Sequence, residues 1–125
     1  MSSLKNIKAL SEDELLDQFV AFSIDQYEAI RYVQNTRKYN RLFDKLSEIV
    51  EELKARGEER FRSIERLLDH SNIQVRLNAA RRLMASSPKL ARRALEDIEK
   101  SGIFPQAGDA GMALSLIDAG IATSR

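Results

Sequence analysis

The stretch YNRLFDKLSEIVEEL, residues 39–53, decides how this chain folds. Tyr39, Leu42, Phe43, Leu46, Ile49, Val50 and Leu53 recur at steps of three and four, a spacing that lines them along one side of a helix. Arg41, Asp44, Lys45, Glu48, Glu51 and Glu52 occupy the other side, so the segment predicts an amphipathic helix with one buried face. The same periodicity reads Tyr39 and Phe43 as core rather than as an aromatic binding stripe. Gly57 follows where a helix end calls for a residue with positive φ.

Upstream, residues 1–10 read as a polar leader. Ser11 and Glu14 then form a capping box, each side chain satisfying the other's free backbone N–H. Leu15, Leu16, Phe19, Val20, Tyr27 and Ile30 continue at helical spacing, with Phe22 and Ile24 widening the stripe. So broad an apolar face suits more than one neighbour, and it also suits a homodimer. Gln34 to Thr36 form the joint to the second helix.

Downstream, a third helix is expected over about Glu58 to Leu68, then a turn at Asp69, His70 and Ser71. Ser71 with Gln74 is a second candidate capping box, opening a fourth helix that runs to about Ala85. Ser87 before Pro88 signals the fifth helix, which ends near Gly102. Ile103 to Gly108 read as a loop, and Asp109 as the cap of a last helix that stops at Gly120. The expectation is therefore an all-α fold, about six helices in three antiparallel hairpins, forming a single helical-repeat domain over residues 11–125. No segment alternates with period two, so no strand is expected.

Composition narrows the chemistry. The 125 residues are 43% hydrophobic and 31% charged, ordinary values for a packed domain. There is no cysteine, which removes disulfides, thiolate nucleophiles and cysteine-based metal sites. His70 is the one histidine, so a histidine pair for a metal is excluded too. No phosphate-binding glycine loop is present. Ser11, Ser71 and Ser87 are accounted for as caps. The chain reads as non-catalytic, with no cofactor and no metal. The start lacks a signal-peptide core and no long apolar run occurs, so a cytoplasmic protein with no membrane partner is expected.

Net charge is only +1, but its distribution is uneven. Residues 11–32 hold six acids and one base, residues 70–95 six bases and no acid. On a helical wheel, Gln74, Asn78, Arg81 and Arg82 face outward from the fourth helix, and neither arginine has an acid three or four residues away. Arg92 and Arg93 are explained by Glu96 and Asp97 on their own helix. The four outward residues form the candidate partner-binding face. The expected function is a protein-interaction module binding an acidic partner protein, of the kind that suits an inhibitor or immunity-type binder. The alternative is binding of nucleic-acid phosphates by the same face, against which stand the small net charge and the lack of aromatics among those bases. A weaker candidate ligand site is the glycine-flanked loop containing Gln106, Gly108, Asp109 and Gly111, where backbone can approach a ligand. Its plainer reading is a tight turn, a cap and close packing.

The stretch LLDHSNIQVRLNAARRLM, residues 67–84, resembles the centre of a HEAT-type repeat, with Leu67, Leu68, Asp69, Val75 and Arg76 in the matching places. Arg76 can reach back to Asp69 or to carbonyls that end the third helix, tying the hairpin shut. The resemblance implies an α-α superhelix whose second helices line a concave groove. KYNRLFDKL (38–46), EELKARG (51–57), VRLNAA (75–80) and FPQAGDAGMAL (104–114) together resemble a bacterial family, domain of unknown function twenty-nineteen. That resemblance implies the same fold and a bacterial source, and no activity.

Overall fold

The computed structural model describes residues 6–120. The fold is all-α, with six α-helices and no strand among the described residues. The expected leader is described only from Asn6, where Ile7–Ala9 make one 3-10 turn capped by the Asn6 side chain. Contacts cluster into two compact units, Met1–Ser63 and Ile64–Arg125.

In the first unit, α1 spans Glu12–Glu28 and α2 spans Thr36–Ala55. The Ser11 box forms as read: Glu14 N–H donates to Ser11 Oγ at 3.1 Å, and Ser11 N–H donates to Glu14 Oε1 at 2.9 Å. Gln26 Nε2 donates to the Tyr39 carbonyl, Lys45 lies over the Phe22 ring, and Arg56 donates to the Lys8 carbonyl. Early residues thus meet late ones in descending order, which makes α1 and α2 an antiparallel hairpin. Leu15, Leu16, Phe19, Leu42, Leu46, Ile49, Val50 and Leu53 form its core. Phe43 departs from the expectation: it is 40% exposed, because the stripe of α2 is narrower than its sequence pattern. Gly57 adopts φ +120°, open only to glycine at no cost, and leads into the single turn α3, Glu58–Phe61. The third helix expected to Leu68 therefore lasts one α-turn and continues as a 3-10 segment, Arg62–Asp69.

In the second unit, α4 (Ile73–Arg82), α5 (Pro88–Ser101) and α6 (Gln106–Asp118) pack on one another, with α4 touching both others. Arg92 bonds Asp118, while Glu99 lies beside Gly111. Both pairings follow one descending register, so α5 and α6 are an antiparallel hairpin. Val75, Leu77, Ala79, Ala80, Leu83, Ala91, Leu95, Ile98 and Ala110 fill the core.

Two starts differ from expectation. Asn72, not Ser71, caps α4: its Oδ1 accepts from Gln74 N–H at 2.8 Å and Val75 N–H at 3.2 Å. An asparagine one place later caps at least as well as serine. At α5, Pro88 holds the first helical position as read, but the Ser87 hydroxyl donates to Glu65 instead of capping.

Candidate functional site

The face proposed on α4 does not form as the helical wheel suggests. Arg81 and Arg82 are half-buried, and Arg82 is engaged within the chain. Gln74 and Asn78 point inward, 1% and 4% exposed. Gln74 Nε2 donates to Asn78 Oδ1 at 3.2 Å, and Gln106 Nε2 donates to Gln74 Oε1 at 2.9 Å. The reason is local. With α5 and α6 both against it, α4 has too little circumference left for four outward residues, and the buried amides bond one another, with Gln106 Oε1 left without a partner among the described residues.

The glycine-flanked loop also differs. The last helix begins at Gln106, three residues before Asp109, so the expected loop shrinks to Ile103–Pro105. Gly108 is helical with ordinary φ and makes no turn. Asp109 sits in the first turn, where its charge suits the helix's positive end, but it is not the cap. At Gly111 a Cβ would lie 2.9 Å from Glu99 Oε2, the tip of an exposed side chain that can swing aside, so packing does not demand the glycine there. Gln106 is buried in the amide chain above, so it faces no ligand approaching from solvent.

Arg76 performs the structural tie. Its Nη1 donates to the carbonyls of His70 at 3.0 Å and Ser71 at 3.4 Å. His70 supports the same turn by accepting Asn72 N–H at Nδ1, 3.0 Å away. This backbone role accounts for the histidine.

A second basic region lies at the joint of α1 and α2. The end of α1 loosens into a π-helical segment, Ala29–Val33, and Gln34 then takes a left-handed conformation at φ 51°. Asn35 caps α2 by accepting Lys38 N–H at 3.0 Å. The guanidinium of Arg31 lies 5.7 Å from the Tyr27 ring centre and 5.3 Å from that of Tyr32. A hydrogen bond to Tyr32, and the charge interaction with both rings, raise the pKa of this exposed guanidinium further. Arg37, Lys38 and Arg41 extend from the first turns of α2 into solvent, and Arg37 and Arg41 line a shallow concavity with Gln34, Asn35 and Thr36. None of these three bases is in an ion pair among the described residues.

Sequence reading missed this cluster. Residues 31–41 hold Arg31, Arg37, Lys38 and Arg41 and no acid. Counting charge up to Tyr32 cut the run in two and credited Arg31 to the acidic helix before it. A shorter sliding window would have found it.

Taken together, the hairpins and the uneven surface charge define an all-α helical-hairpin protein with no cluster of His, Asp or Glu suited to hold a metal among the described residues. The chain belongs to the family described as domain of unknown function (DUF2019), whose model matches residues 13–118. It is similar to the crystal structure of the protein RPA1889 from Rhodopseudomonas palustris CGA009, at 38% identity and a TM-score of 0.87, over 94% of this chain and 96% of that one. Comparison with curated proteins finds no match. No helix among the described residues is long and apolar enough to cross a membrane.

Proposed function

We propose that the chain is a non-catalytic protein-interaction module that engages an acidic partner, and that the α1–α2 joint makes the contact. One observation carries this reading: four bases within residues 31–41, no acid among them, and three of the four extending from the start of one helix. A planar guanidinium offers a fixed donor fork to a carboxylate, so Arg31, Arg37 and Arg41 suit acidic side chains better than lysines would. The expectation built on Arg81 and Arg82 gives way to one built on more exposed side chains. A bacterial, cytoplasmic setting agrees with the family resemblance and the cysteine-free composition.

Binding to nucleic-acid phosphates is the second reading, and Tyr32 favours it. This ring is 70% exposed beside Arg31, an arrangement on which an unpaired base can stack. Fluorescence anisotropy separates the two, with a polyglutamate peptide and a single-stranded DNA of about 20 nucleotides as probes. The expected result is saturable peptide binding that falls roughly tenfold or more in an Arg37→Glu, Arg41→Glu variant of unchanged helical signal. Tighter binding of the DNA, weakening steeply with salt, selects the second reading. Binding of neither probe, or equal binding by the variant, rejects the joint as an anion-contacting surface.

A further inference from the structure

We infer that the outer face of α6 is a contact surface between two copies of this chain. Phe104 is 71% exposed, Met112 69%, Ile103 46% and Leu116 43%, and all four stand on or just before this helix. Between Phe104, Met112 and Leu116 lies a groove of about 520 Å³, floored by the small residues Ala107, Gly108, Gly111 and Ser115. Among the described residues that line it, Glu99 is the one charged side chain, and it is exposed.

Size and shape choose the occupant. The four side chains expose on the order of 400 Å² of apolar surface, as much as the largest patch of a typical monomer. A stable interface buries about 800 Å² per partner, somewhat over half of it apolar, so this patch is the centre such an interface needs, with a polar rim to complete it. A two-fold interface must also be complementary to itself, since the same patch is presented by both copies. This face meets that requirement. It carries bulky residues and a hollow floored by small ones within a few turns of one helix, so Met112 and Leu116 of one copy can enter the groove of the other. The floor stays low because its residues carry side chains no larger than a hydroxymethyl group. The apolar face of α1, by contrast, is spent on its own hairpin, with Leu15, Leu16 and Phe19 buried.

Sedimentation equilibrium over roughly 1–500 µM protein tests this directly, a range that reads dimers of ordinary affinity. The expected mass rises to twice 14.2 kDa with concentration. Met112→Glu places a charge at the centre of the patch, and Ser115→Arg fills the groove. Both positions are exposed, so each variant should keep its helical circular dichroism while its dimer weakens at least tenfold. Two variants are used so that a folding failure in one leaves the other to decide. Arg37→Glu, on α2, should leave the mass unchanged. A wild-type mass of 14.2 kDa throughout overturns the inference and leaves the face to a different partner. A dimer that survives both substitutions overturns it as well, because it must then use another surface.

Discussion

Gln106, at the start of α6, donates from Nε2 to Gln74 Oε1 on α4 at 2.9 Å, and both side chains are almost wholly buried. Asn78 extends the chain of amides by one more bond. This contact joins two helices through polar atoms at a place where an aliphatic pair would have been the simpler choice. A buried amide that loses its partner retains its desolvation cost, about 1–3 kcal/mol. Gln74→Leu should therefore lower the stability measured by urea unfolding by roughly that amount. Gln74→Leu combined with Gln106→Leu should cost less than the sum of the single changes, since no amide of that pair is then left facing leucine.

Two glycines should answer oppositely to alanine. Gly102 ends α5 at φ +69°, so Gly102→Ala should cost about 1 kcal/mol. Gly108 lies inside α6 at ordinary φ, and its new Cβ would sit an unstrained 3.6 Å from the Phe104 ring. Gly108→Ala should stabilise by roughly 0.5–1 kcal/mol through helix propensity. The same denaturant curves measure both.

These glycines mark where sequence reading succeeds and where it stops. Gly102 and Gly120 were legible as stops because a left-handed residue after a periodic run has a local cause. The helices over Glu12–Glu28 and Thr36–Ala55 were legible for the same reason, each set by its own apolar spacing and cap. Gly108 was misread because glycine beside aspartate resembles a turn, whereas the packing of this segment on both α5 and α4 is not written in its own residues. Gln74 and Asn78 failed for a related reason. Which side of α4 is covered depends on how many neighbours it has, and its own residues do not encode that number. The Arg31–Arg41 cluster was in the sequence but was divided by the counting window.

Arg76 should prove a turn-stabilising residue, not a binding one. Arg76→Leu removes two bonds to the carbonyls of His70 and Ser71, one of them partly buried, and should cost about 1–2 kcal/mol. Hydrogen exchange should accelerate first at the amides of the following cap, Gln74 and Val75. Arg76→Lys should recover only part of the loss, because one guanidinium nitrogen, Nη1, makes both bonds and a lysine ammonium approaches those oxygens from a shorter stem.

The Arg92–Asp118 contact should respond to salt and hardly at all to alkali. A hydrogen bond and the charge of Asp118, with Glu96 adding to them, raise the Arg92 pKa above its ordinary value. A cationic group whose folded pKa is raised contributes fully below its unfolded pKa and loses that contribution only as pH climbs through the folded value. From about pH 7 to pH 10, both well below that window, its contribution should therefore stay constant. Both side chains are substantially exposed, so raising salt toward about 1 M should erase the difference between wild type and Asp118→Asn. Thermal unfolding of wild type and Asp118→Asn, at low and high salt and at both ends of that pH range, checks both statements.

The loosened last turn of α1 carries a further lesson about how such a surface can change. Over Ala29–Val33 the backbone winds with a longer hydrogen-bonded reach than the helix before it, so Arg31 and Tyr32 lag behind the compass bearing that ordinary winding would give them. Removing one residue there would let the coil tighten and swing Arg31 and Tyr32 round the axis, while Leu15, Leu16 and Phe19 kept their seats in the hairpin. Aim and anchorage are thus separate in this protein: a single-residue change in length, made at one joint, can redirect what the molecule presents without disturbing what holds it together.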